Sequence, residues 1–182
     1  MDQQAKPALL IIDMINDFNF SHGEILSKKA EEITGSILAL KDRFKQKEWP
    51  VIYINDHFNL WQADFKKIID HCRNERSEKV IEQIAPDDGD YFLIKPKHSA
   101  FYGTALNTLL QQLKADSLVI TGVAGNICVL FTANDAYMRE YSLSIPQNCI
   151  ASNSDKDNKY ALTMMEEVLK ADTRSSTEIF NQ

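Results

Sequence analysis

Three side chains far apart along the chain, Asp13, Lys95 and Cys128, are of types that together can make and use a nucleophile. Cys128 closes the segment Thr121-Gly122-Val123-Ala124-Gly125-Asn126-Ile127-Cys128, between a strand-like run at 117–121 and a helix-like run that begins at 128. A thiol in the first turn of a helix faces unpaired backbone N–H groups and the positive end of the macrodipole. Both favour thiolate over thiol, so the segment predicts a lowered thiol pKa. The competing reading of a lone intracellular cysteine is a small buried hydrophobe. An ammonium at Lys95 would stabilise the thiolate, and a carboxylate at Asp13 could take the thiol proton and return it to a leaving group. Backbone N–H groups of the turn 123–126 lie beside the sulfur in sequence and offer an oxyanion hole. An acyl carbon attacked there would pass through a tetrahedral intermediate to a thioester, which water would hydrolyse.

Distant residues meet only if the intervening elements bring them together. Residues 8–12 are a continuous apolar run ending in Asp13, the pattern of a strand buried on both faces. Ile33, Ile37, Leu40 and Phe44 recur at helical spacing in a segment of about 27–48. Pro50 closes it, and 51–56 reads as a second strand ending in Asp56. Residues 61–84 read as one or two short helices. A third strand, 91–95, ends in Lys95 and is stopped by Pro96, while Lys97 is expected to point to solvent. Leu106, Leu109, Leu110 and Leu113 then form one helical stripe with Thr104 as its N-cap. The fourth strand is 117–121, and the helix after it is apolar nearly all round, hence expected to be buried. A fifth strand at 141–146, a last helix marked by Ala161, Met164, Met165, Val168 and Leu169, and a short sixth strand near 171–173 complete the order.

Strand–helix alternation of this kind predicts a three-layer, Rossmann-like α/β fold, with a mostly parallel sheet of five to six strands flanked by helices, as a single domain over 1–182. Ligands of such sheets bind beyond the carboxyl ends of the strands, where the strand order reverses. Asp13, Asp56, Lys95 and Cys128 should therefore converge on one rim. Phe18, Trp61 and Tyr102 follow strand ends and are candidates for lining a substrate pocket; Phe101 shares that placement with a packing role.

Composition narrows the function classes. The chain has 182 residues, 44% hydrophobic and 25% charged, as in ordinary globular proteins. A formal net charge of −6 makes nucleic acid and anionic membrane poor partners. No apolar stretch approaches a membrane span, and the N-terminal segment lacks a signal-peptide pattern. Three cysteines at unrelated spacings argue against a disulfide framework and for a reducing, cytoplasmic setting.

Three blocks taken together resemble the isochorismatase-like cysteine hydrolases, a superfamily that includes nicotinamidases, N-carbamoylsarcosine amidase and isochorismatase. They are Leu10-Ile11-Ile12-Asp13-Met14-Ile15-Asn16-Asp17-Phe18, Lys95-Pro96-Lys97-His98-Ser99-Ala100-Phe101-Tyr102-Gly103-Thr104-Ala105-Leu106, and Thr121 through Val129. The resemblance covers almost the whole chain. It implies that Asp13, Lys95 and Cys128 are the catalytic triad, with Lys95 chosen over Lys97 because it stands four residues before Ser99-Ala100-Phe101. It also implies a cis peptide before Ala124 and an oxyanion hole made by the backbone N–H groups of Ala124 and Cys128. Neither a cofactor nor a nucleic-acid or membrane partner is implied; a homodimer or homotetramer acting on a small molecule is.

The nicotinamidases of that superfamily bind a metal through an Asp-x-His pair and a later His. Here Asn55-Asp56-His57 places Asp and His side by side, where strand side chains point apart, and His71 is commonly a surface histidine. The expectation is the metal-free branch, with no bound metal and with nicotinamide a less favoured substrate. Cys128 favours amide or imide-type acyl chemistry over enol-ether hydrolysis, which remains the alternative. From another class, a phosphoacceptor receiver domain would use Asp56 with Lys95-Pro96. Against it, Ile12 rather than a second acid stands beside Asp13, and the lysine ends the third strand.

Overall fold

Strand β1 (Pro7–Ile12) carries apolar side chains at successive positions and is buried on both faces, which only a central strand of a covered parallel sheet can be. The computed structural model describes residues 6–180. Residues 1–5 and 181–182 lie outside the described residues, and with them most of the segment in which a signal peptide was sought. After β1 come helix α1 (Gly23–Gln46), strand β2 (Val51–Asp56), helices α2 (Phe65–Cys72) and α3 (Glu78–Ile84), and strand β3 (Tyr91–Lys95). Helix α4 (Leu106–Leu113) leads to strand β4 (Ser117–Val123), a π-helical turn (Gly125–Val129) and helix α5 (Leu130–Tyr137). Strand β5 (Ser142–Ser144), the short β6 (Ile150–Ala151), and helices α6 (Asp155–Glu167) and α7 (Ser176–Phe180) complete the order.

The sheet order is β3-β2-β1-β4-β5, with β6 pairing on β4, and each of these pairings is parallel. The chain moves outward from β1 to β3 and then returns to β4 on the other side of β1. The strand order therefore reverses between β1 and β4, at the carboxyl ends of which lie Asp13 and the turn bearing Cys128.

Alternation along β1 builds two cores at once. Ala8, Leu10 and Ile12 face Leu106, Leu110, Val129, Ala133, Ala161 and Met165. Leu9 and Ile11 face the stripe Ala30, Ile33, Ile37, Leu40 and Phe44 of α1. Burying both faces of one strand under helices makes the central sheet the rigid part to which the rim residues are attached.

Several elements differ from the sequence expectation. Helix α1 starts at Gly23, four residues early, because His22 takes a left-handed φ of 65° and turns the chain into it. Position 23 must be glycine, since a Cβ would lie 2.0 Å from the Phe18 carbonyl oxygen. Thr104 does act at the start of α4, its Oγ1 accepting from the Leu106 N–H at 3.1 Å. The helix expected to be buried all round is covered on one side only, with Phe131 and Tyr137 exposed. Residues 171–173 contribute a single bridge, Ser144 with Asp172, and the sixth strand is instead β6. No helix among the described residues is long and apolar enough to cross a membrane.

Gly122 sets the closest approach at the reversal point. It pairs with Ile12, has φ +109°, and a Cβ there would lie 2.1 Å from the Ile12 carbonyl oxygen. An alanine must move one of the two central strands. Gly122→Ala is expected to cost about 3 kcal/mol or more, read as a lowered denaturant midpoint with unchanged slope; a shift of a few tenths would show that the strands have room.

Candidate active site

Asp13 is the first residue past β1. A left-handed φ of 50° turns it off the strand, while its N–H still donates to the Ile54 carbonyl at 3.1 Å. Its Oδ1 accepts from the Asp56 N–H at 2.8 Å, so the carboxylate is fastened to the end of β2. Lys95, the last residue of β3, is 2% exposed and reaches back past β2. Its Nζ lies 2.8 Å from Asp13 Oδ2, 3.6 Å from Cys128 Sγ and 3.1 Å from the Lys97 carbonyl oxygen. These three contacts match the three donors of an ammonium. Asp13, Lys95 and Cys128 thus come together at the carboxyl rim, as the strand ends required.

Burial disfavours the Lys95 ammonium, but the charge of Asp13 and the neighbouring sulfur outweigh it, and the group is held above its ordinary pKa. The sulfur behaves in the opposite sense to the sequence expectation. Burial first, and the Asp13 carboxylate second, push the Cys128 thiol up, and Lys95 offsets only part of this. Lys95 offsets so little because its ammonium is already paired with Asp13 at 2.8 Å, so the buried sulfur sees a pair rather than a lone cation. The direction of the shift favours thiol over thiolate at Cys128, with the Asp13 carboxylate on the same ammonium.

The turn bearing Cys128 is held from two sides. On one side, Thr132 Oγ1 donates to the Cys128 carbonyl at 2.7 Å and accepts from the Ala100 N–H at 3.0 Å, tying the loop after β3 to the turn after β4. Ser99 Oγ in the same loop donates to Asp135 at 2.5 Å and accepts from the Phe101 N–H, and Phe101 lies under the Arg139 guanidinium at 4.7 Å. Ser99-Ala100-Phe101 is thus the strap between Lys95 and the turn bearing Cys128. On the other side, Asn126 N–H donates to Ser152 Oγ, whose hydroxyl donates to Asn158. Thr132 and Ser152 escaped the sequence reading. Only the four-residue spacing from Cys128 to Thr132 signals the first, and nothing local signals the second.

The peptide Val123-Ala124 is cis, as the resemblance implied. The Ala124 carbonyl accepts from the Ile127 and Val129 N–H groups, and Val123, Ala124 and Cys128 line a cavity of about 470 Å³ together with Asp13 and Lys95. His98 reaches the same sulfur, Nδ1 to Sγ being 3.8 Å.

The expected pocket aromatics are displaced. Phe18 is fully buried in the core against α1 and does not line the cavity; Phe20, two residues on and half exposed, does. Trp61 is exposed and stacks on His57 with ring centres 3.9 Å apart, and Phe58 takes its place in the lining. Tyr102 is exposed and outside the lining. Phe18 and Trp61 share one cause: the loops after β1 and β2 run through left-handed residues at Phe18, Phe58 and Trp61, so the direction of a side chain cannot be carried over from the strand.

Asp56, His57 and His71 do not converge. Asp56 Oδ1 accepts from the Phe58 N–H, His57 Nδ1 accepts from the Asn59 N–H, and His71 packs near Phe58. No group of three or more His, Cys, Asp or Glu side chains able to hold a metal occurs among the described residues. The receiver reading fails on topology, because a receiver's second strand is an edge strand and β2 here lies between β3 and β1.

Comparison with known proteins gives the family and the fold. The family model described as "Isochorismatase domain" matches residues 7–176. The uncharacterized isochorismatase family protein YaaI of Bacillus subtilis (strain 168) is 63% identical, over 98% of this chain and 99% of that protein. The crystal structure of N-carbamoylsarcosine amidase from Thermoplasma acidophilum superposes with a TM-score of 0.76 at 32% identity, covering 96% of this chain and 99% of that one. That of the nicotinamidase SaPncA from Staphylococcus aureus gives 0.74 at 25% identity, covering 95% and 99%.

The charges around the sulfur make a signed prediction. In native protein, timed iodoacetamide labelling read by peptide mass spectrometry should fall on Cys128, because Cys72 and Cys149 are buried whereas Cys128 opens onto the cavity. The Cys128 rate should climb with pH through about pH 9 without a plateau near neutrality. Asp13→Asn removes the carboxylate and leaves the ammonium, so it should lower the thiol pKa and raise the rate near pH 7 about tenfold. Lys95→Met should do the reverse. A neutral plateau in the wild type would show the sulfur to be a resting thiolate.

Proposed function

The chain belongs to the isochorismatase family and is a hydrolase, and from that premise we propose that it cleaves a small amide or related acyl compound through a thioester on Cys128. The observation that supports this most is the single ammonium of Lys95, in contact with the Asp13 carboxylate at 2.8 Å and the Cys128 sulfur at 3.6 Å. A carboxylate base, a cation and a sulfur in one buried contact set are what acyl transfer needs.

In this reading Asp13 takes the Sγ proton as sulfur attacks the acyl carbon. The C–S bond forms, and the carbonyl oxygen becomes an oxyanion received by the backbone N–H groups of Ala124 and Cys128. Lys95 stabilises the sulfur while it is charged. Collapse breaks the C–N bond, and Asp13 gives its proton to the departing amine. Water then adds to the thioester, loses a proton to Asp13, and expels the sulfur, which recovers that proton. The balance is amide plus water to acid plus amine, with the enzyme restored. The raised thiol pKa suits this cycle, since proton transfer and attack are coupled rather than the thiolate being stored beforehand. A sulfur so placed favours acyl chemistry over enol-ether cleavage, which needs no thiol.

The same proposal includes a reducing cytoplasmic setting and a homodimer or homotetramer. A catalytic thiol must stay reduced, and Cys72, Cys128 and Cys149 are all free.

Exposure to a pool of small amides followed by rapid quench should leave an acyl mass on the Cys128 peptide, absent in Cys128→Ala. Hydrolysis should fall about a thousandfold or more in Cys128→Ala and Lys95→Ala and less than about twofold in Lys97→Ala, whose side chain is exposed. A turnover that survives loss of the sulfur overturns the proposal. Separately, EDTA should leave hydrolysis unchanged, and a loss restored by zinc would overturn the metal-free reading.

A further inference from the structure

The cavity above Cys128 holds more negative than positive side chains, and the excess is not engaged by the catalytic groups. Asp13, Asp17 and Asp56 line it, whereas Lys95 is the one lysine or arginine of its described lining and is held by Asp13. Asp17 and Asp56 each use one oxygen to close a local turn, Asp17 Oδ1 accepting from the Asn19 N–H at 2.9 Å and Asp56 Oδ1 from the Phe58 N–H at 2.8 Å. Neither Oδ2 has a hydrogen bond or ion pair among the described residues. The arginines of the adjoining groove that Asp17 also borders are engaged elsewhere, Arg73 with Glu78 and Glu82 and Arg76 with the Phe18 carbonyl. Apart from His98, the rest of the lining is neutral, with Asn16 and Asn153 beside Phe20, Phe58 and Ile127.

We propose, on the reading that Cys128 is an acyl-transfer nucleophile, that this cavity selects amides bearing no anionic group, and that the end of the substrate remote from the scissile carbonyl presents N–H donors or a cation to the free oxygens of Asp17 and Asp56. A carboxylate entering here meets two like charges and loses hydration with no donor set to replace it. An ammonium, amino or ureido group brings N–H donors that the two free carboxylate oxygens can accept. Lys95 alone would attract anions to the sulfur; the two carboxylates reverse that preference. The same selection disfavours a dicarboxylate enol ether as substrate.

Two alkylating reagents of nearly equal shape and different charge read the field directly. Cys128 is alkylated with iodoacetamide and with iodoacetate at about pH 8.5, and the rate ratio is divided by that for 2-mercaptoethanol. The expected normalised ratio is about tenfold or more in favour of iodoacetamide. Asp17→Asn combined with Asp56→Asn should bring it below about threefold, while each asparagine keeps the Oδ1 that closes its turn. A wild-type ratio near unity, or one unmoved in the double variant, overturns the inference, and the wild-type ratio alone suffices should the variant fail to fold. In parallel, ammonia release is measured from 4-aminobutanamide, pentanamide and succinamate. Succinamate should have kcat/KM at least about tenfold below the other two, and equal turnover overturns the inference as well. Absence of turnover with all three counts against the acyl-transfer reading, and the alkylation ratio then still decides the question of charge.

Discussion

The Lys95 ammonium, buried between the Asp13 carboxylate and the Cys128 sulfur, is the contact on which the rest of the site depends. A charged amine at 2% exposure is tolerable only with partners on its donors, because the dehydration of an unpaired ammonium is far costlier than any packing it gains. Its partners therefore have to be placed by the fold before the lysine can be buried. Parallel strands do this. They end on one side, so residues separated by dozens of positions arrive at the same rim, and the reversal between β1 and β4 opens a gap for them.

Holding that arrangement requires devices away from the chemistry. Gly122 lets β4 turn against the Ile12 carbonyl where any side chain would collide. Thr132 joins the lysine's outgoing loop to the nucleophile's turn through one hydroxyl, a donor to one and an acceptor from the other. The Asp56 N–H steadies the Asp13 carboxylate from β2. Each link is an ordinary hydrogen bond of modest net worth. Together they leave the three reacting groups few positions to occupy.

The electrostatics separate two ideas that a motif alone merges. A nucleophilic cysteine is commonly pictured as a stored thiolate, and helix-start placement encourages that picture. Here burial acts on the sulfur, the cation is shared with a carboxylate, and the thiol is pushed up. In the proposed cycle, activation then belongs to the encounter with substrate, when Asp13 accepts the proton. The outer cavity extends the same logic, since Asp17 and Asp56 give it a negative character that Lys95, already paired, does not cancel.

Much of this was legible from residue order alone. Apolar runs ending in Asp13, Asp56 and Lys95, followed by a turn bearing Cys128, state both the parallel sheet and its chemical rim, because strand periodicity and burial are local properties of a sequence. Other features were not local. The pocket lining moved from Phe18 to Phe20 and from Trp61 to Phe58, since single left-handed residues redirect a loop in ways that residue type barely signals. The sixth strand moved from 171–173 to Ile150–Ala151, because a two-residue strand owes its existence to the partner β4 offers it. The direction of the Cys128 pKa was also decided in space. Residue types place a cation and an acid near a sulfur; only burial, and then the distances among the three, determine which way the thiol moves.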